Sequence, residues 1–253
     1  MIGNLKQSNM ILWCFPLAVI AMQVLPVTPS LVVGLAFVAF GFTRRFRILL
    51  LFGLTIFGYL FWLFVSQYLT ANTSLLVVLN RLGLSGYIIL FAIWSRIEPC
   101  ATYLGFGNMK GKLKAPFIWW GNNEYVWRFV LIVCSLWAAL TIVFGFLYSN
   151  IIYFMPYALL FALINPIFEG VVWRGFILGR LIDYMGEKQG LVVSSIAFGL
   201  YHFSLGFSIW TCLLFAIGGF YMGGIAIKSK GFLAPTMIHF FVNLALISFG
   251  LIF

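Results

Sequence analysis

The feature that most constrains this chain is a series of apolar runs, each about 18 residues or longer, separated by short polar connectors. A helix of that length crosses the roughly 30 Å hydrocarbon core of a bilayer. Membrane strands are shorter, roughly 10 residues, and alternate strictly between apolar and polar positions, which these runs do not do. We therefore predict an all-α fold, a polytopic transmembrane helical bundle of about eight or nine helices.

The runs divide the chain into three parts. They predict helices near residues 10–25, 30–43, 48–69, 75–95, 129–148, 152–180, 189–206, 209–227 and 232–252. Residues 1–95 form amino-terminal transmembrane helices to which the sequence assigns no role. A basic loop, 96–128, separates them from a transmembrane core, 129–253, that carries the candidate site.

The distribution of charge predicts how the chain sits in the membrane. Only 8% of the residues are charged, and the formal net charge is +10. The basic residues cluster in alternate connectors, such as "TRRFR" (43–47) and the 96–128 loop, as the positive-inside rule expects. This pattern indicates membrane lipids and not nucleic acid as partners, and it predicts a cytoplasmic amino terminus. Short connectors and the lack of a targeting tail favour a bacterial plasma (inner) membrane.

Two basic residues fall outside this pattern, Arg81 and Arg174. Arg81 is expected near the outer end of the fourth helix, where its side chain would extend to the membrane interface. Arg174 lies within the helix predicted over 152–180.

Four ionisable side chains are predicted inside the membrane, where each costs at least roughly 2.5–3.5 kcal/mol. They are Glu169, Arg174 and the only two histidines of the chain, His202 and His239. Counting from the nearest basic connector at about 1.5 Å per residue places Glu169, His202 and His239 at depths of roughly 13–21 Å. The sequence therefore predicts one polar layer shared by three helices.

Residue spacing shows which side chains can meet. Phe198 and His202 are four residues apart, as are His239 and Asn243, so each pair lies on one helix face. Glu169 and Arg174 are five apart, about 140° around an α-helix. We therefore expect Arg174 to find its partner elsewhere.

Three segments resemble the motifs of a known family. "EGVVWR" (169–174), "FGLYH" (198–202) and "HFFVN" (239–243) are similar to the motifs E-E-x-x-x-R, F-x-x-x-H and H-x-x-x-N. These belong to the CAAX prenyl protease and bacteriocin-processing family of intramembrane endopeptidases, also called CPBP or Abi. One position departs from the pattern, because Gly170 stands where the second glutamate is usual and so removes an i,i+4 partner of Arg174. The departure leaves open whether activity is kept, altered or abolished.

The resemblance implies a role for each site residue. Glu169 would act as general base on a water that His202 helps to orient and deprotonate. His239 and Asn243 would donate hydrogen bonds to the oxyanion of the tetrahedral intermediate. Phe198 would shape the pocket, and Arg174 would bind substrate or hold helices together. No cofactor is implied, although a zinc alternative would use Glu169, His202 and His239, a ligand combination common in catalytic zinc sites.

The function expected from this resemblance is an intramembrane endopeptidase acting on a hydrophobic, lipidated or carboxy-terminally tagged protein or peptide. Two alternatives remain open from the residues themselves. Intramembrane charges and histidines are also typical of a proton- or ion-coupled transporter or channel. The glycine at position 170 is compatible with a non-catalytic immunity or assembly protein.

Overall fold

The computed structural model describes residues 10–43, 47–68, 74–100, 102–147 and 151–252. Three basic residues used to predict the orientation, Lys6, Arg44 and Arg45, lie outside these ranges.

The first half of the described chain consists of helices joined by short breaks. They are α1 (Phe15–Val24), α2 (Val27–Gly41), α3 (Leu49–Tyr68), α4 (Ser74–Asn80), a 3₁₀ turn (Arg81–Leu84) and α5 (Ser85–Ile97). Pro26 separates α1 from α2, since proline has no N–H to continue the first helix. The pieces α4, 3₁₀ turn and α5 follow one another without a loop and form one apolar span, Leu75–Ile97.

The second half contains the three motif segments. Its elements are α6 (Val126–Leu147), α7 (Ile151–Glu169), a π-helix (Gly170–Ile177), α8 (Leu178–Met185), α9 (Glu187–Tyr201), a 3₁₀ turn (His202–Leu205), α10 (Ile209–Ser229) and α11 (Leu233–Ser248). The sequence 155–185 continues from α7 through the π-helix into α8 as one long apolar span. The chain turns at Gly186, whose φ of +82° favours glycine, and enters α9.

The all-α prediction is confirmed. We count α4, the 3₁₀ turn and α5 as one helical segment, and α7, the π-helix and α8 as another. The described ranges then contain nine helical segments, which coincide with the nine predicted runs. By length and composition, five are long and apolar enough to cross a membrane: Leu49–Tyr68, Leu75–Ile97, Val126–Gly145, Met155–Met185 and Ile209–Ser229. Three shorter apolar helices are Met10–Val24, Val27–Gly41 and Leu233–Ser248.

One element of the fold is missing from the sequence prediction, a β-hairpin inside the 96–128 loop. Its antiparallel strands are β1 (Lys112–Pro116) and β2 (Gly121–Tyr125). Strand β1 alternates over only four residues and strand β2 is polar and mostly exposed, which is why their sequence does not predict them. The hairpin packs through Leu113 of β1 and through its turn, where Ile118 is buried against the backbone of Gly224 on α10.

The amino-terminal helices share one hydrophobic core with the motif-bearing region. The largest buried cluster contains Phe15 of α1, Leu51 of α3 and Phe91 of α5 together with Trp173 of the π-helix and Tyr201 of α9. Because burial of such side chains is the main favourable term in folding, the two regions stabilise each other. The placement of the motif residues therefore depends on residues 10–97 as well as on their own helices.

Helices α9 and α10 approach closely behind the site. A Cβ on Gly199 would collide with the Cys212 backbone carbonyl, and one on Gly219 would lie 2.8 Å from the ring of Phe198. Glycine at both positions lets the two backbones meet. The close approach fixes the position of Phe198, which lies between the two histidines described below.

Charged residues of several connectors meet at one end of the bundle, which we call the basic end. Arg47, before α3, lies 3.0 Å from Glu98, after α5, and Arg180 of α8 donates hydrogen bonds to Ser95 and to the Glu98 carbonyl. Lys228, at the end of α10, lies over the ring of the hairpin residue Trp119. The basic connectors thus share an end, as their spacing predicts. Which side of the membrane this end faces remains a prediction.

Candidate active site

A π-helix determines how the first motif presents its side chains. Glu169 is the last residue of α7, and the π-helix begins at the next residue, Gly170. A π-helix pairs residues five apart, so it brings positions 169 and 174 nearer to one face than an α-helix would. The expected separation of about 140° is therefore wrong, because it assumed α-helical geometry throughout. Such π segments are rare and occur often at functional sites.

Arg174 nevertheless forms no ion pair within the described part of the chain. Its guanidinium lies 4.4 Å from the centre of the Phe198 ring and donates a hydrogen bond to Met222 Sδ at 3.1 Å. Nη1 has no partner among the described residues, although the side chain is buried. Among the described residues, Arg174 thus contacts an aromatic ring and a thioether and pairs with no carboxylate.

The carboxylate of Glu169 lies between two nitrogen-bearing side chains from other helices. Its side chain is buried, with 1% of the residue exposed. His239 Nε2 of α11 lies 3.7 Å from Oε2, and Arg81 Nη1 lies 3.9 Å from Oε1. Both distances exceed a direct hydrogen bond, as is common for catalytic groups without substrate. The predicted polar layer therefore exists for Glu169 and His239.

The prediction for Arg81 is wrong. Its side chain was expected to reach the membrane interface, but Arg81 is buried, 7% exposed, and faces Glu169. The cause is the 3₁₀ turn, which interrupts the span between α4 and α5 at Arg81 and packs against α7. Arg81 also lies over the ring of Phe161, with its guanidinium carbon 5.1 Å from the ring centre.

His202 is held by a hydrogen bond that selects its tautomer. Nδ1 lies 2.8 Å from the backbone carbonyl of Phe198. Because a carbonyl oxygen only accepts, Nδ1 carries the proton and the neutral ring has a free lone pair on Nε2. The ring also packs against Phe215 at 4.4 Å between centroids. His202 is thus a rigid acceptor, suited to orient a water molecule.

Phe198 lies between the two histidines. Its ring contacts His202 edge-to-face at a centroid distance of 4.9 Å and lies 6.5 Å from His239. On its other side it meets Trp173 of the π-helix at 5.6 Å. The structure therefore brings Phe198, His202, His239, Glu169 and Arg174 into one buried cluster.

A glutamine from the amino-terminal region braces the turn that carries His202. Gln23 of α1 donates a hydrogen bond from Nε2 to the Leu200 carbonyl at 3.0 Å, and its Oε1 accepts one from the backbone N–H of Ser204 at 2.6 Å. These two backbone groups lie on either side of His202. The side chain of Gln23 thus fixes the 3₁₀ turn in which α9 ends.

Several buried polar atoms around this cluster have no hydrogen-bond partner in the described ranges. They are Glu169 Oε2, Arg174 Nη1, Arg81 Nε, Asn165 Oδ1 and Asn243 Nδ2. Asn243, 2% exposed, follows His239 by one helical turn on the same face of α11. Buried polar groups are nearly always satisfied, so these atoms are available to water or substrate.

The zinc alternative does not fit this geometry. Glu169 and His239 are close enough to share an ion, and the Nδ1–H bond of His202 to a carbonyl would leave Nε2 as its ligand atom, so the hydrogen bond itself does not exclude a metal. Among the described residues, no three His, Cys, Asp or Glu side chains are arranged to hold a metal ion. We therefore derive no step through a metal.

The sequence analysis missed three residues of the cluster: Arg81, Gln23 and Asn165. Asn165 precedes Glu169 by four residues and is buried on the same face of α7, so its spacing was a usable signal. Arg81 and Gln23 lie far away in the sequence, and no spacing rule links them to Glu169 or His202. They are found only from tertiary contacts.

Comparison with known families supports the motif assignment. Residues 151–245 match the family described as type II CAAX prenyl endopeptidase Rce1-like. This segment is therefore similar to that family. The family segment, as residues 151–245 are called below, holds all three motifs and includes Gly170. Its match confirms the resemblance drawn from those motifs and covers less than half of the chain.

Beyond the family segment, the comparisons add nothing. No curated protein and no solved structure matches the chain. Together with the long apolar helices, the family match indicates an integral membrane protein. Arg81 and Gln23 lie outside it.

Proposed function

We propose that this protein is an intramembrane endopeptidase that hydrolyses a peptide bond through a water molecule activated by Glu169 and His202. One observation carries the proposal: Glu169 lies beside His239, and the ring of Phe198 lies between His239 and His202, so the three motifs of the family segment meet in one buried cluster. A carboxylate and two imidazoles at that level suit acid–base chemistry in a site largely shielded from bulk water.

The proposed reaction has two steps. Glu169 accepts a proton from water while the water oxygen bonds to the carbon of the scissile carbonyl, whose oxygen becomes an oxyanion. The same carboxyl group then passes the proton to the leaving nitrogen as the C–N bond breaks. The free lone pair on Nε2 of His202 accepts a hydrogen bond from the attacking water and directs its oxygen to the carbonyl carbon.

Asn243 and His239 are proposed to stabilise the oxyanion. Asn243 Nδ2 is a buried donor with no partner in the described ranges, and His239 Nε2 faces the same space beside Glu169. Donors already fixed in a shielded site stabilise developing charge without reorganising during the reaction. The pairing of these two residues one turn apart on α11 supports this role.

Arg174 is proposed to bind the polar end of the substrate. Its Nη1 is unpartnered in the part of the chain that the structure describes, and a cavity of about 10 Å³ lies beside it. Ser194, Ser195 and Gly223 also line that cavity, which has room for roughly one water molecule. A guanidinium can bind a carboxylate through two parallel hydrogen bonds, which favours a hydrophobic or lipidated substrate cut near a free carboxy terminus.

The test compares Glu169→Gln with the intact protein at equal expression, using mass spectrometry of the terminal peptides of membrane proteins. Glu98→Gln is the matched control, because Glu98 is also ion-paired but lies at the basic end. A precursor that accumulates only with Glu169→Gln supports proteolysis and identifies the cleaved bond. If Glu169→Gln is stably inserted and processing is unchanged, the proposal fails, and proton flux in vesicles then tests the transporter alternative.

We also propose that the reaction needs no metal. Purified protein treated with a chelator should process the accumulated precursor at an unchanged rate. Loss of activity that added zinc restores would contradict this.

The basic end is proposed to face the cytoplasm of a bacterial cell, with anionic lipid headgroups near the hairpin lysines. A membrane-impermeant thiol reagent tests this on Lys110→Cys, in a variant whose four native cysteines are replaced. The reagent should label the cysteine in inverted vesicles and not in intact cells. The reverse labelling pattern would contradict the orientation.

A further inference from the structure

The guanidinium that pairs with Glu169 among the described residues comes from outside the family segment. Arg81 Nη1 lies 3.9 Å from Glu169 Oε1, and both side chains are more than nine-tenths buried. A buried carboxylate needs a compensating charge or hydrogen bonds to remain ionised. In the described part of the chain, Arg81 is the only Lys or Arg whose nitrogen lies within 4.0 Å of this carboxylate.

The surroundings of Arg81 hold its guanidinium in this place. It begins a 3₁₀ turn, and two residues later Gly83 lies directly against Trp62 of α3, where an added Cβ would be 2.7 Å from the indole. Just before the turn, Asn80 accepts a hydrogen bond from Ser66 of α3 at 2.8 Å. The turn is therefore fixed by α3, and the Phe161 ring supports the guanidinium from the α7 side.

Arg174, the arginine of the first motif, does not pair with Glu169. Arg174 is directed to Phe198 and Met222, and the usual second acidic residue is absent because position 170 is glycine. The cluster therefore contains one carboxylate and two guanidinium groups. Of these two, only Arg81 makes an ion pair with the carboxylate.

We propose that Arg81 is the positioning residue of Glu169: it keeps the carboxylate charged and directed to the attacking water. The proposal rests on the function proposed above and extends it to residues 1–95, to which the sequence assigns no role. Arg81 acts only through Glu169 and touches no reacting atom.

The first test is a double-mutant cycle on thermal stability, which needs no substrate. Arg81→Met should lower the Tm of the purified protein by roughly 6–20 °C, as expected when one partner of a buried pair is removed. In the Glu169→Gln background, Arg81→Met should leave Tm unchanged or raise it, because no carboxylate is left without its partner. Equal losses of Tm in both backgrounds would overturn the pairing.

A second double-mutant cycle, also measured by Tm, tests what the loss of an arginine–glutamate pair outside the site does. Arg47 and Glu98 form an ion pair that is partly exposed at the basic end. Arg47→Met, alone and with Glu98→Gln, should show a coupling of about 3 °C or less, since exposed pairs contribute little. If the Arg47–Glu98 coupling were as large as the Arg81–Glu169 coupling, the stability cycle would give Arg81 no special role and would count against the proposal.

The second test is processing of the precursor that accumulates with Glu169→Gln. Arg81→Met should process it roughly 10–100-fold more slowly, the loss expected when a reacting group is misplaced by about 1 Å. Arg81→Lys, which keeps the charge, should recover part of the rate. If Arg81 only fills space, the uncharged Arg81→Met and the charged Arg81→Lys should process the precursor at the same rate. Equal rates would overturn the proposal.

The two tests separate this inference from the proposed function. If Glu169→Gln accumulates no precursor but the stability cycle shows coupling, the pair is real and the endopeptidase assignment fails. If Glu169→Gln accumulates precursor and Arg81→Met processes it at the normal rate, the assignment stands and the positioning role fails.

Discussion

The amino-terminal helices α1–α5 and the family segment contribute to the same cluster in different ways. The family segment provides Glu169, His202, His239 and Asn243, which its motifs mark at fixed spacings. The amino-terminal helices provide Arg81 and Gln23, one beside Glu169 and one around the His202 turn. The reacting groups thus come from the part that matches a family, and their supports come from the part that does not.

This difference separates chemistry from placement. A motif defines which side chains lie on one helix face, but it does not define what holds that face against its neighbours. In this protein the shared core of α1, α3, α5, the π-helix and α9 does so. We therefore expect substitutions of the reacting residues in the family segment to lower processing most, and substitutions of Arg81 or Gln23 to lower it less.

The largest expected effect tests the family segment. Asn243→Ala should slow processing by roughly 10²–10³-fold, the loss seen when one oxyanion donor is removed. Asn122→Ala, in the exposed strand β2, is the matched control and should process normally. A normal rate for Asn243→Ala would mean that this buried amide donates to no oxyanion.

A smaller effect is expected from the amino-terminal side. Gln23→Leu removes both side-chain hydrogen bonds around His202. The Leu200 carbonyl and the Ser204 N–H then lose a partner, and each loss should lower the free energy of unfolding by about 1–3 kcal/mol. Tm should fall by roughly 2–4 °C for each kcal/mol lost, and processing should fall several-fold.

The control for this prediction is Gln67→Leu, an exposed glutamine of α3. If Gln23→Leu and Gln67→Leu have the same Tm and the same rate, the Gln23 brace contributes nothing. The amino-terminal helices would then support His202 through apolar packing alone.

The smallest effect is expected at the position where the motif departs from its family. A Cβ at Gly170 would lie 3.4 Å from Thr236 Oγ1, an ordinary contact, so Gly170→Ala has room. Alanine also costs less backbone entropy than glycine in a helical segment. Tm should stay the same or rise slightly, and the processing rate should change by less than about twofold. A large loss of processing would show that the site needs a bare backbone at position 170.

The sequence predicts the helices and most of the cluster because both depend on short-range spacing. Apolar runs locate the nine helical segments, and spacings of four place Phe198 with His202 and His239 with Asn243 on single faces. Counting along the helices predicts the common depth of Glu169 and His239, which the distance of 3.7 Å confirms.

What the sequence does not predict depends on contacts between distant segments. The π-helix after Glu169 reduces the angle around the helix axis between Glu169 and Arg174, and α-helical spacing does not predict this. The hairpin at 112–125 forms from short, mostly exposed strands that pack through Leu113 and Ile118. The sequence predicts Arg81 at the membrane interface, whereas the fold places it beside Glu169.

The most direct test of the central claim, a water activated by Glu169, is a single turnover in water enriched in oxygen-18. The substrate is the precursor that accumulates with Glu169→Gln, and the reconstituted protein is in excess. We predict that the label enters the new carboxy terminus and that the enzyme peptide containing Glu169 stays unlabelled. Label in the Glu169 carboxylate would contradict the account, since it would mean that the glutamate itself attacks the peptide carbonyl.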